Sequence, residues 1–169
     1  MKLKFKKYFF EVLIVVILFT GLSIWMSRNM LDSGVQIPAQ QLPNLSGELV
    51  ELQWPSESKR TLVYFFAPWC TFCKVSMPGL NFLLPDSDQA AKKLNVIAIG
   101  LDYQSQEEVQ TFIDGTGFTG QVLLGNRQLA QQFQVQVYPS YYILDQNGVV
   151  LRRDQGLSTP PGLWLRANL

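Results

Sequence analysis

Histidine is absent from this 169-residue chain, and cysteine occurs twice. Without histidine the chain lacks the commonest general base near neutral pH, the commonest zinc partner and any CxxCH haem attachment. Two cysteines fall short of the four ligands that a structural zinc site or an iron–sulfur cluster needs. Charge is scarce as well, at 16% of residues with a net charge of +1. The body of the chain holds no basic patch, so nucleic acid finds no electrostatic footprint. What is present is apolar: 47% hydrophobic and 12% aromatic residues exclude disorder and supply a core.

The cations are unevenly spread. Lys2, Lys4, Lys6, Lys7 and Arg28 fall within the first thirty residues against Glu11 alone, which leaves the rest mildly acidic. Between them runs YFFEVLIVVILFTGLSIWM, Tyr8 to Met26. As a helix, about 19 residues reach roughly 28 Å, enough to cross a bilayer's hydrocarbon. The lysines precede the run, so the positive-inside rule places the N-terminus in the cytoplasm and the body outside. A cleaved signal peptide is the alternative, but GLSIWMSRNM offers no A-x-A site, and no lipid-accepting cysteine follows. The expectation is a cytoplasmic start and transmembrane anchor over residues 1–27. A linker over 28–44 follows, aperiodic and broken by Gly34, Pro38 and Pro43, and then one domain over 45–169.

Within the domain, GELVELQW reads as an edge strand or hairpin arm. TLVYFF (Thr61 to Phe66) and NVIAIGL (Asn95 to Leu101) are continuous apolar runs, the mark of strands buried on both faces. Cys73, Met77, Leu80 and Leu84 make one helical stripe, with Pro78 expected to bend the helix. Ser105 with Glu108 forms a capping box for a helix burying Val109, Phe112 and Ile113. QVLL is a short strand and NRQLAQQF a short helix, and SYYILD-QNG-VVLRR is a hairpin turned at Asn-Gly. A last short helix starts near Pro161. Alternating strands and helices closed by a hairpin define an α/β domain with a central mixed sheet flanked by helices.

The two cysteines stand in PWCTFCK, Pro68 to Lys74. A disulfide across so small a loop removes little unfolded-state entropy, so a structural staple is a poor use of the pair. An inert buried pair is the plain alternative. The redox reading fits the local chemistry better. Cys70 follows a buried strand and opens a helix, where free N–H groups favour its thiolate, and Lys74 adds a positive charge nearby. Cys73 belongs to the buried stripe and is placed to resolve a mixed disulfide. A CxxC beside a βαβ pattern reads as a thioredoxin-like redox motif.

TLVYFFAPWCTFCKVSMPGL resembles the strand–CxxC–helix core of thioredoxin-like proteins, most nearly the membrane-tethered TlpA/ResA type with its cytochrome c maturation members. NVIAIGLDYQSQEEVQTFI, VLLGNRQLAQQFQVQVYPSYYILDQNGVVLRR and LPNLSGELVEL extend the resemblance over about residues 42–155. It implies a thioredoxin-like fold with Pro139 as a cis-proline facing the cysteines, and with the backbone of Tyr138 pairing with substrate. Trp69, Tyr138 and Pro139 are thus candidate substrate contacts, and Tyr64, Thr71, Phe72 and Lys74 candidate tuning residues around catalytic Cys70 and Cys73. The chain departs from the family's pattern in two places. The buried Asp or Asn six residues before the first cysteine is Tyr64 here, and the frequent Glu three residues after the second is Ser76. Without those groups, proton transfer from Cys73 falls to water, to the Tyr64 hydroxyl or to another acid, Asp102 being the first to consider. Thr71-Phe72 also replaces thioredoxin's Gly-Pro between the cysteines.

The leading expectation is therefore a membrane-anchored protein thiol–disulfide oxidoreductase. Its redox centre is the Cys70–Cys73 disulfide itself, with no separate cofactor and no metal. The resemblance implies a reductase of extracytoplasmic protein disulfides, recharged by a transmembrane donor of thiol–disulfide type. It would sit in a bacterial inner membrane and face the periplasm or cell exterior. An oxidase or isomerase of periplasmic thiols and a redox-silent binding module are the alternatives. Peroxidase chemistry ranks low, since a Thr is expected where Ala67 stands, three residues before Cys70.

Overall fold

The structure, a computed structural model, describes residues 8–18, 21, 28–52, 60–84, 94–159, 161–163 and 165. Its centre is a five-stranded sheet of β3 (Arg60–Phe66), β4 (Leu94–Gly100), β5 (Gln121–Leu124), β6 (Ser140–Asp145) and β7 (Val150–Gln155), in the order β5-β4-β3-β6-β7. β3, β4 and β5 run parallel, and β6 and β7 are antiparallel, so the sheet is mixed as expected. A hairpin of β1 (Gln40–Pro43) and β2 (Leu49–Leu52) stands apart and touches the sheet through an Asn44–Leu123 bridge.

β3 is buried on both faces because its side chains alternate between two cores. Leu62, Tyr64 and Phe66 enter one core with both cysteines, and Val63 and Phe65 enter the other. On the first face Phe66 stacks on Phe112 of α2 (Gln106–Thr116), with ring centres 5.1 Å apart. On the second, Phe65 meets Phe133 just after α3 (Arg127–Gln132), at 4.8 Å. α2 begins as expected, with Ser105 accepting from the Glu108 N–H, and it ends at Gly117 in the left-handed region. The closing hairpin turns at Gly148, whose φ is +75°, while the Asp145 carboxylate takes the N–H groups of Asn147 and Val149.

Two expectations meet a different outcome. The cysteine helix α1 (Thr71–Ser76) does not bend at Pro78 and continue. It gives way to a 3₁₀ segment, Met77–Leu83. Proline removes the N–H that an α-helix needs, and the three-residue period then buries Met77, Leu80 and Leu83 instead of Leu84.

The expected linker is also packed on the domain. Met30, Leu31, Ile37 and Leu42 are buried in the second core. Gly34 and Ile37 donate to the carbonyls of Val150 and Gly148, and Arg153 binds the Met30 carbonyl and the Asp32 carboxylate, each at 2.6 Å. This segment lies along the free edge of β7 in an irregular path, so its apolar residues show no period.

The expected anchor is described only in part. Residues 8–18 and 21 are helical with exposed side chains. Among the described residues no helix is long and apolar enough to cross a membrane. The rest of the expected span, with the Lys-rich start, lies outside the described residues.

Candidate active site

β3 ends at Phe66, and Ala67-Pro68-Trp69 carries the chain to Cys70, the N-cap of α1. The turn is held by the Cys70 N–H donating to the Ala67 carbonyl at 3.0 Å. Cys70 has extended backbone, and its Sγ accepts from the Cys73 N–H at 3.1 Å, as a capping oxygen would. Cys70 and Cys73 are joined as a disulfide with Cα atoms 5.2 Å apart. Cys70 keeps 5% exposure and Cys73 none. An incoming sulfur therefore has an edge of Cys70 to approach and nothing of Cys73. The pair sits in an aromatic and aliphatic core with Tyr64, Phe66, Met77 and Leu80.

Of the other expected residues, Trp69, Tyr138 and Pro139 converge. The Trp69 indole is exposed, donates its N–H to the Asp102 carbonyl at 3.1 Å, and stands edge-on to the Tyr138 ring at 5.6 Å. Tyr138–Pro139 is a cis peptide bond, and Pro139 is buried. Ser140, the next residue, pairs with Phe65 near the end of β3, which brings the proline to the cysteine end of the sheet. Burial, with a smaller contribution from the Asp102 carboxylate, pushes the Tyr138 hydroxyl up to about 12. Asp102 has a positive φ of 52°, a conformation Asp tolerates better than most residues, and it directs its carbonyl at Trp69. It is exposed at the rim of the site.

The tuning candidates divide. Thr71 and Phe72 are exposed on the first turn of α1. Lys74 is exposed too, in a surface cleft shared with Glu107 and Glu108 of α2. Tyr64 is fully buried, and its hydroxyl lies 2.8 Å from the Ser76 Oγ and 3.4 Å from the Cys73 carbonyl. Ser76 in turn donates to the Phe72 carbonyl at 2.9 Å. Tyr64, Ser76 and the Phe72 and Cys73 carbonyls thus form one buried hydrogen-bonded cluster. Burial holds the Tyr64 hydroxyl far above the ordinary tyrosine range, so it is neutral near physiological pH. Two contacts escaped sequence reasoning, namely Ser76 as the partner of Tyr64 and the Asp102 carbonyl as the acceptor for Trp69. A serine three residues after Cys73 was the available signal for the first; the second depends on the Asp102 backbone and left no sequence trace.

A redox CxxC at the end of a central strand, beside a cis-proline loop, defines a thiol–disulfide oxidoreductase of thioredoxin-like fold. The AhpC/TSA family model matches residues 33–153, and the chain belongs to that family. It is 30% identical over 152 residues to thioredoxin-like protein YneN of Bacillus subtilis, covering 86% of this chain and 87% of the relative. It is 27% identical over 169 residues to thiol-disulfide oxidoreductase ResA of Oceanobacillus iheyensis, covering 94% and 86%. Among solved structures, a DsbE-like thiol:disulfide interchange protein from Chlorobium tepidum superposes with a TM-score of 0.69 at 26% identity, over 80% of this chain and 95% of that one.

Proposed function

We propose that the protein is a membrane-anchored reductase of extracytoplasmic protein disulfides, with roles for Cys70 and Cys73 set by their unequal access. The observation that carries the assignment is Cys70 at the helix N-cap, its sulfur accepting the Cys73 N–H and the residue keeping 5% exposure while Cys73 keeps none. In the reduced protein that N–H favours a Cys70 thiolate. The thiolate attacks a substrate disulfide, forms a mixed disulfide and expels one substrate thiolate. Cys73 then gives up its proton and attacks Cys70. This re-forms the Cys70–Cys73 bond and releases the second substrate thiol, so two electrons have passed to the substrate. Trp69, Tyr138 and Pro139 form the surface against which the substrate lies. No cofactor beyond the disulfide takes part.

The anchor is read from the Tyr8–Met26 run and its preceding lysines. Outside the cytoplasmic membrane thiols are kept oxidised, so a reductase there needs electrons carried across the bilayer by a membrane-embedded thiol–disulfide donor. The relatives named thiol-disulfide oxidoreductase ResA support the disulfide exchange itself. Cytochrome c maturation, with its requirement for reduced apoprotein cysteines, is the substrate class to test first.

Two measurements test the proposal. A Cys73→Ser protein is expected to accumulate mixed disulfides through Cys70, and first alkylation of the reduced protein at Cys73 would reverse the roles. The reduction potential of the detergent-solubilised chain is expected nearer the roughly −270 mV of thioredoxin than the roughly −120 mV of a strong oxidant. A value at the oxidising end would favour an oxidase.

A further inference from the structure

The packed segment after residue 28 has a direction. From Gly34, bound to the Val150 carbonyl, back to Met30, bound by Arg153, the chain climbs β7 toward its C-terminal end. Arg28 and Met30 then line a cleft with Gln134, Val137 and Gln155. Gln155 pairs with Ser140, the residue after the cis-proline, and the adjacent Gly156 N–H donates to the Pro139 carbonyl at 2.8 Å. The domain's N-terminal lead thus leaves at the same end of the sheet as the disulfide. Running outside β7, it is offset from β3 by three strand spacings, about 14 Å. That end also carries exposed apolar side chains, with Trp69 and Phe72 each 62% exposed and Val137 and Leu157 outward as well. Trp and Phe in such a setting suit a lipid–water interface.

We propose that the redox face is held against the membrane surface by its own tether, so that the protein exchanges disulfides with partners whose cysteines lie at the lipid–water interface. This rests on the anchored reading above. Only Ser27 separates Arg28 from the end of the apolar run, so the tether has almost no slack. Its pinning to β7 by Arg153, Val150 and Gly148 prevents it from lengthening by peeling. The lipid surface is the occupant of the outer rim, Phe72, Val137 and Leu157, leaving Trp69 with Tyr138 and Pro139 to the substrate; an apolar polypeptide from solution is the competing occupant.

The test uses the reduced full-length protein in vesicles containing a lipid with a pyridyl disulfide on its headgroup. Cys70 thiolate attacks that disulfide and expels pyridinethione, which is read by absorbance. Cys73 then closes the Cys70–Cys73 bond and releases the lipid thiol, so the electrons balance. The same assay is run with a soluble pyridyl disulfide. In a second protein, about 30 Gly and Ser residues are inserted between Ser27 and Arg28, a coil spanning roughly 30 Å. The insertion is expected to slow the lipid reaction by about fivefold or more, through lost effective concentration, while the soluble reaction is unchanged. Equal lipid rates for the two proteins, with both floating with the vesicles, would overturn the proposal and leave the anchor standing. Failure of the native protein to float would remove the anchor, and the proposal with it.

Discussion

Replacing Tyr64 by phenylalanine separates a structural role for the buried hydroxyl from a chemical one. The ring is fully buried and edge-on to Tyr141 at 5.2 Å, and phenylalanine preserves that packing. What is lost is the 2.8 Å bond to Ser76 and the longer contact to the Cys73 carbonyl. A buried neutral hydrogen bond contributes about 1 kcal/mol net. Ser76 keeps its bond to the Phe72 carbonyl, so no donor is orphaned and the cost stays near that figure. For a domain of this size the melting temperature should fall by about 3–5 °C. The Ser76→Ala protein and the double variant complete a cycle, measured by denaturant unfolding of the oxidised and the reduced protein. Because the Tyr64 hydroxyl engages Ser76 and the Cys73 carbonyl and not sulfur, the coupling should be the same in both redox states within about 0.5 kcal/mol. The pH profile of substrate turnover should not change. A coupling confined to the reduced state, or slowed turnover at unchanged stability, would refute the reasoning and make the hydroxyl a partner of the Cys73 thiol.

Alkali should unfold the protein before it ionises all of its tyrosines. Burial pushes Tyr142 up to about 12, against smaller opposing effects of the Leu31 N–H and Arg153, and Tyr138 is raised to about 12 as well. A folded value above the unfolded value of about 10 means stability intact below pH 10 and lost as pH rises toward 12, to be followed by tyrosinate absorbance and circular dichroism together. Phe133→Ala removes a fully buried ring from between Phe65 and Tyr142 and should cost about 3–5 kcal/mol in denaturant unfolding. Gly125→Ala would place a Cβ 2.6 Å from Leu101 Cδ2, 2.8 Å from Ile99 Cγ2 and 3.2 Å from the Gly100 carbonyl, and should cost about 1–3 kcal/mol by overpacking.

What the sequence made legible was what rests on local period and caps. The β3 run, the Ser105–Glu108 cap and the Asn-Gly hairpin each carry their reason within ten residues, and each forms where expected. The misplaced features depend on partners far along the chain. Met30 to Ile37 look aperiodic because their partners, Val150 and Arg153, lie more than a hundred residues away. The shift from Leu84 to Leu83 follows from Pro78 changing the helical period, which a single-period stripe does not anticipate. The cysteine motif was legible as chemistry. The Tyr64–Ser76 bond was not, because it depends on which way two side chains point across a strand and a helix.

That bond bears on how the two sulfurs come to differ. Neither an acid beneath Cys73 nor a cation at Cys70 makes the distinction here. Lys74 lines a cleft with Glu107 and Glu108, Asp102 lies at the rim, and the buried Tyr64 and Ser76 place a pair of hydroxyls beside the Cys73 backbone. α1 has only six residues before the 3₁₀ turn, so its macrodipole is small, and the nearby Cys73 N–H is the donor that matters. Asymmetry then comes from position. Opening the disulfide puts one sulfur at a capped, partly accessible helix start and the other in an apolar core, where a charge would be desolvated. Position thus favours negative charge at Cys70 over negative charge at Cys73 once the bond is opened. Among the described residues no carboxylate touches the hydroxyl pair, which leaves water as the route for the Cys73 proton when a mixed disulfide resolves. A partner held long enough at the site is what such a slow second step requires, and the short membrane tether proposed above would supply that persistence.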